Sequence, residues 1–366
     1  MRKEAATKTV GGGGRVETVA GRTAIGLDIG TSSVRAAQVT VSKGSVTLDR
    51  FGQVALPPGA VRDGEVVDSD AVGASIKQLW SSAKFTKKDV VIGISNQKVF
   101  VRLIDVPWMP ADDLKSSLKY QVADLVPMPI DEAVLDFVAL EEVLVDNARS
   151  IRGLLVAASQ DMVLGAIRAA QKAGLRASTV DLTPFAVLRA AGTIDSAGMS
   201  GPEAVVDVGS RVTNIVVHEG GVPKFVRILL LGGDDITGAL VERLGVTMAD
   251  AEQLKRDPAL LASPQSADAR RIVDAALTEF VDEVRGSVDY YLATSGSRPL
   301  ARLVLSGGGS LSDGLAQRLA TAVRTQVEYG RAFGQLTIGK TGLGPEQVRF
   351  VEPLAAVPVG LAMGAV

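Results

Sequence analysis

Two segments of this chain share one spelling that suits phosphate and metal chemistry. The first is Gly26-Leu27-Asp28-Ile29-Gly30-Thr31-Ser32-Ser33-Val34-Arg35, the second Val205-Val206-Asp207-Val208-Gly209-Ser210-Arg211-Val212-Thr213-Asn214. In each, an apolar run ends in Asp, followed by one apolar residue, Gly, hydroxyl side chains and a further β-branched run. That order reads as a β-hairpin whose tight turn offers backbone N–H groups and hydroxyls beside a strand-end carboxylate. Glycine lets the backbone approach a phosphate closely, and the carboxylate can hold a hydrated Mg2+. Two such hairpins facing one another would grip a nucleotide's phosphate tail from both sides. One copy is an ordinary turn; the pair suggests a duplicated architecture with a cleft between its halves.

Other segments fit that cleft. Leu303-Val304-Leu305-Ser306-Gly307-Gly308-Gly309-Ser310 reads as a buried strand entering a Gly-rich turn before a helix. Such a turn lets backbone lie flat against an adenine ring or pucker around a phosphate. Glu252 and Lys255 stand three apart on one helical face, where they reach ribose hydroxyls or simply pair with each other at the surface. The Ala- and Gly-rich stretch 354–366 suits a helix packed tightly against another at a hinge. Gly334-Gln335-Leu336-Thr337-Ile338-Gly339-Lys340-Thr341 matches the Walker A spelling. Gly342-Leu343-Gly344-Pro345 follows where a helix N-terminus is required, so the segment is read as a surface loop.

Bulk composition narrows the rest. The 366 residues suit two lobes rather than one core. With 39 basic and 41 acidic residues, the formal charge of −2 points to no nucleic-acid partner. The chain has no Cys, which excludes thiolate catalysis and cysteine-bound zinc, and its one His, His218, excludes a His cluster or a Ser-His-Asp triad. His218 is read as a strand-end residue. No apolar run reaches the roughly 18–20 residues of a membrane span, and no secretory signal is visible, so a cytoplasmic protein is expected, linked to a membrane only through a partner.

The elements that must position these residues follow from periodicity. Residues 1–21, with a basic start and a Gly11–14 run, are expected to be a flexible tail. Strands are expected over 24–29, 34–41 and 46–54, then a helix over 69–83 with Val72, Ile76 and Leu79 inward. Strand patterns at 90–95 and 99–106 precede a break at Pro107-Trp108-Met109-Pro110. A helix opened by Asp112 then carries an apolar stripe of Leu114, Leu118, Val122 and Leu125, facing core or a groove. Trp108 and Met109 read equally as a partner-binding edge or a loop anchor. Strands at 134–142 and 152–158 and a helix over 161–173 complete a stretch, 99–173, that reads as an inserted α+β subdomain. Lobe I spans 22–98 and 174–202, lobe II 203–350, and 351–366 returns to a lobe I hinge helix. Lobe II holds the second hairpin, a helix opened by Gly232-Gly233-Asp234-Asp235, and helices over 268–294 and 313–323. The class is α/β with two similar lobes.

In this order the motifs resemble the actin/DnaK-type ATPase superfamily, a fold of duplicated ribonuclease H-like domains. Within it the chain is most similar to the PilM family of type IV pilus assembly proteins, over about residues 23–366. The specific text is Leu56-Pro57-Pro58-Gly59-Ala60-Val61-Arg62-Asp63-Gly64-Glu65-Val66, Val106-Pro107-Trp108-Met109-Pro110, Val126-Pro127-Met128-Pro129-Ile130-Asp131-Glu132, Leu135-Asp136-Phe137 and Val180-Asp181-Leu182-Thr183-Pro184-Phe185-Ala186. The resemblance implies an insertion of the SHS2 type and a cleft for ATP and Mg2+. In it Asp28 and Asp207 hold the metal through water. Thr31, Ser32, Ser210 and Thr213 meet the phosphates, and Glu252, Lys255, Gly308 and Gly309 line the nucleoside. Gly30, Gly209, Gly232, Gly233 and Gly307 belong to the same binding set. It also implies a groove beside the insertion for the N-terminal peptide of a PilN-like inner-membrane protein, with pilus motor ATPases and self-assembly as further partners.

In the chaperone branch a Glu-Pro pair helps position the attacking water; here that pair is Thr183-Pro184. Thr is no carboxylate base near neutral pH, so slow or absent hydrolysis is expected. The alternatives are an FtsA-like division protein and a small-molecule kinase of the same superfamily. The chain stops at Gly364-Ala365-Val366 without the amphipathic helix expected of FtsA, and no segment supplies a kinase's carboxylate base.

Overall fold

The computed structural model describes residues 21–192 and 201–366. The tail expected over 1–21 lies outside the described residues except for Gly21, as do residues 193–200 of lobe I.

One strand order occurs twice. In lobe I it runs Ser45–Ala55, Ser33–Ser42, Arg22–Ile29, Asp89–Ile94, Arg176–Leu182. In lobe II it runs Val222–Leu229, Thr213–Glu219, Glu203–Val208, Arg302–Ser306, Val327–Tyr329. In both, the first three strands pair antiparallel and the last two add in parallel to the strand that ends in Asp. Strand Glu203–Val208 is buried along its length, as the apolar run requires. The duplication read from the two hairpins therefore extends to whole sheets.

Helices cover these sheets by their apolar faces. Ser69–Ser82 buries Val72, Ile76 and Leu79 against lobe I, and the Asp68 carboxylate caps it by accepting from the N–H groups of Asp70 and Ala71. Ala267–Ser295 does the same for lobe II through Ile272, Phe280, Val284, Val288 and Tyr291. The helix Gln160–Lys172, grouped with the insertion from sequence, buries Met162, Ala166 and Ala169 in the lobe I core beside Val72 and Ile76.

The insertion itself is a three-stranded antiparallel sheet, Phe100–Pro107, Ala148–Ser159 and Ala133–Val145, with Ala148–Ser159 in the middle. The helix Ala111–Val122 packs on it through Leu118 and Val122 against Leu155 and Ala157. Leu125 does not continue this stripe. The helix ends at Val122 before Pro127, Leu125 is exposed, and Val126 turns inward instead. Trp108 is 42% exposed yet tied to the insertion's hairpin: its Nε1 donates to Glu142 at 3.1 Å, and the Arg149 guanidinium lies 4.4 Å above its ring.

Two segments join the lobes. The closing helix Ala356–Met363 is buried along seven residues and packs on the helix Thr183–Ala191 and on strand Arg22–Ile29. Its core includes Ala37 and Val91 of lobe I and Val205, Val216 and Val304 of lobe II. The approach is close enough that a Cβ on Gly360 would lie 1.8 Å from the Ala186 carbonyl oxygen. The Walker-like segment is no P-loop, and it is more than a loop. Thr337–Ile338 forms a sixth strand on lobe I, parallel to Thr47 and Leu48, and the next helix starts only at Pro345.

Candidate functional site

The two Asp-x-Gly hairpins face each other across a cavity of about 770 Å³, within the usual range for a nucleotide-sized ligand. Each hairpin closes in the same way: Gly30 N–H donates to the Ser33 carbonyl at 3.1 Å, and Gly209 N–H to the Val212 carbonyl at 3.0 Å. At the tips, the Ser32 and Ser210 hydroxyls lie 2.7 Å apart. Asp28 and Asp207 end the central strands, both buried and both lining the cavity.

The hairpin register decides what faces each carboxylate. Asp28 stands opposite Arg35, whose Nη1 donates to its Oδ2 at 3.0 Å. Asp207 stands opposite Asn214, whose Nδ2 donates to its Oδ2 at 3.4 Å. Burial pushes the Asp207 carboxyl up to about 6, the neighbouring Asp28 charge pushes the same way, and bonds from Asn214 and Ser306 with the Arg35 charge oppose it. Burial also raises Asp28, against the pull of the Arg35 charge and hydrogen bond. Two buried carboxylates raised in this way suit a hydrated divalent cation, since its charge would replace the missing water.

From lobe II, the helix Met248–Arg256 presents Lys255 and Glu252 to the same cavity. Lys255 Nζ donates to the Gly233 carbonyl at 3.0 Å and to Thr237 Oγ1 at 2.9 Å, and pairs with Glu252 Oε2 at 2.6 Å. Burial alone would raise Glu252, but bonds from Lys255 and Thr237 outweigh it and hold the carboxyl below its ordinary value. The Glu252–Lys255 pair expected from the spacing forms, and both residues line the cavity. The Gly-rich turn lines this cavity too. Gly307 takes φ +83° with Val208 behind it, where a Cβ would sit 2.3 Å from the Val208 carbonyl oxygen, so only glycine fits.

The structure brings together Asp28, Gly30, Thr31, Ser32, Asp207, Gly209, Ser210, Gly233, Glu252, Lys255, Gly307, Gly308 and Gly309 around one cavity, with Thr183 on its wall. Thr213 is not among them. It is fully buried and donates to the Leu231 carbonyl at 2.7 Å, because it stands beside Asn214 on the opposite face of its strand. Gly232 sits behind the lining as the N-cap of the helix Gly233–Leu244. The sequence reading missed Arg35, Asn214, Ser95 and Asp234 as lining residues. A signal for the first two was present: in each hairpin the residue seven after the Asp pairs directly with it.

Contacts between the lobes close the hairpin side of the cavity. Ser95 Oγ donates to Asn214 Oδ1, and Arg211 bonds both Asp235 and, at 3.3 Å, Asp63 of lobe I. A second, largely apolar cavity of about 310 Å³ lies beside the insertion. Its walls come from Val138 and Leu154 of the insertion, Phe185 and Leu188 of lobe I, and His218 and Pro223 of lobe II. His218 is near the end of its strand, buried, with Nδ1 accepting the Gly221 N–H at 3.2 Å.

Comparison with known proteins gives a consistent picture. The profile of the family described as type IV pilus assembly protein PilM matches residues 26–366. A solved PilM-PilN type IV pilus biogenesis complex superposes with a TM-score of 0.82 at 28% identity, covering 94% of this chain and 98% of that one. EutJ of Carboxydothermus hydrogenoformans gives a TM-score of 0.54 at 16% identity, covering 95% and 92% of the two chains. MreB5 of Spiroplasma citri bound to ADP gives 0.51 at 14% identity, covering 93% and 95%. Among curated sequences, cell division protein FtsA of Bacillus subtilis is 22% identical over 63% of this chain. The match spans 57% of the length of that relative. FtsA of Pseudomonas aeruginosa is 26% identical over 85% of this chain and 83% of its own. The fold is the actin-like ATPase fold. No helix among the described residues is long and apolar enough to cross a membrane.

Proposed function

Since the chain belongs to the PilM family of type IV pilus assembly proteins, we propose that it is an ATP-binding scaffold of a pilus or related secretion machine. The observation that carries this reading is the facing of the two Asp-x-Gly-Ser/Thr hairpins across one cavity, with a buried carboxylate at each strand end. Ser32, Ser210 and the hairpin N–H groups would hold the phosphates; Glu252, Lys255 and the Gly-rich turn would hold the nucleoside. Asp28 and Asp207 would hold Mg2+ through its waters, and the bound ion would offset phosphate charge. Thr183 occupies the wall where a water-positioning carboxylate would be needed, so ATP is retained rather than rapidly turned over.

The cavity beside the insertion would take an extended apolar segment, the N-terminal peptide of a PilN-like inner-membrane protein, placing the scaffold on the cytoplasmic face of that membrane. Support comes from its largely apolar walls and from the solved PilM-PilN relative. A division-type role is the second reading, favoured by the FtsA matches.

The deciding experiment titrates the purified protein with that peptide, with and without Mg-ATP. Saturable micromolar binding, weakened by Leu188→Asp, supports the scaffold. No binding in either condition moves the weight to the division-type reading. Any dependence on Mg-ATP is a coupling free energy between cleft and groove.

A further inference from the structure

The main cavity has a mixed lining. The hairpins present hydroxyls, backbone amides and two carboxylates, and Leu311, Phe350, Pro353 and Leu354 add apolar surface. That lining suits a ligand with an anionic tail and a planar heterocyclic head. Phe350 is the unusual member. It is 70% exposed, while the other described phenylalanines are buried or half-buried. A large ring this exposed on a cleft wall is available to a ligand, and aromatic faces favour stacking.

The ring is held there by its surroundings. Phe350 lies on the helix Pro345–Val351, whose Val348 and Val351 pack into the core between the lobes. The joint that follows is bonded to the Gly-rich turn, since Gly307 N–H donates to the Pro353 carbonyl at 3.0 Å. Gly308 in turn lies close against Leu354, where a Cβ would come within 3.0 Å of Leu354 Cδ2. Phe350 is thus held by an anchored helix beside the turn that would carry the nucleoside.

We infer that Phe350 is the aromatic platform on which the base of the bound nucleotide stacks. The inference rests on the nucleotide reading of the cleft. Because every base has a π-face, Phe350 contributes affinity rather than choice of base.

The test compares Phe350→Ala, Phe350→Leu and Phe350→Tyr with the parent protein by calorimetry, using Mg-ATP, Mg-GTP and inorganic tripolyphosphate. Phe350→Ala is expected to weaken Mg-ATP and Mg-GTP by a similar factor, roughly five- to a hundredfold, the range of base–aromatic stacking. Tripolyphosphate, which has no base, should bind all proteins alike. Phe350→Tyr should restore affinity and Phe350→Leu should not. If Phe350→Ala or Phe350→Leu binds Mg-ATP as the parent protein does, the stacking role is wrong while the cleft reading stands. If the parent protein binds no Mg-ATP, the cleft reading fails and the inference with it. An exposed position makes misfolding no excuse, and matched melting temperatures without ligand verify this.

Discussion

Arg35 and Asn214 are counterparts: each sits directly across the hairpin from the aspartate of its own lobe, one offering a guanidinium and the other an amide. The duplicated backbone therefore carries an asymmetric charge arrangement. Asp28 has a guanidinium as its hydrogen-bond partner, whereas Asp207 bonds the neutral side chains of Asn214 and Ser306. This difference sets how each half answers to pH.

The pH dependence follows from the sign of the shift. An Asp207 carboxyl raised to about 6 binds its proton in the native state before the unfolded chain does. Its penalty is absent below the unfolded value of 3.8, grows as pH rises towards about 6, and is complete above that. Asp207→Asn is expected to stabilise the nucleotide-free protein at pH 8 by about 1–3 kcal/mol and to flatten its stability between pH 4 and 6. The same variant should lose Mg2+-dependent nucleotide affinity. Denaturant melts at pH 4.5 and 8 decide it; equal stability of variant and parent at pH 8 would contradict the assignment.

Arg35→Met should behave oppositely. It leaves the buried Asp28 carboxylate, which burial already raises, without the guanidinium that pulls it down. Stripping one partner from such a largely buried pair destabilises, here by about 1–3 kcal/mol. A neutral or stabilising result in the same melts would show that Asp28 finds another donor.

Helix packing at the hinge gives a third test. A Cβ at Gly360 meets backbone of the helix Thr183–Ala191, which cannot swing away as a side chain can. Gly360→Ala should destabilise by about 1–3 kcal/mol or more. Gly286 is an internal control: it lies in the helix Ala267–Ser295, and a Cβ there meets nothing within 4 Å. Gly286→Ala should stabilise by about 0.5–1 kcal/mol. Thermal melts that rank the two variants the other way would refute the packing geometry.

Turnover is the fourth. With Thr183 on the cleft wall, multiple-turnover phosphate release should not rise above the background of Asp207→Ala. Release at several per minute, abolished by Asp207→Ala, would sink the retention of ATP.

Much of this was legible in the residues. The hairpins, the Gly-rich turn, the capped helices and the tight closing helix are local patterns of period two or three to four, and they form where the spacing predicts. Even the error at Thr213 was avoidable, since side-chain alternation puts Asn214, not Thr213, on the face of Asp207. The chain's own order of residues thus determined the elements, the duplication and which turns line the cleft. Tertiary structure alone decided the rest. It carried Thr337–Ile338 across to the edge of lobe I, turned Leu125 outward, moved the helix Gln160–Lys172 into the lobe I core, and set Phe350 on the wall of the cleft. Each depends on contacts between residues remote in the chain, and local periodicity carries no information about which remote surface an element will meet.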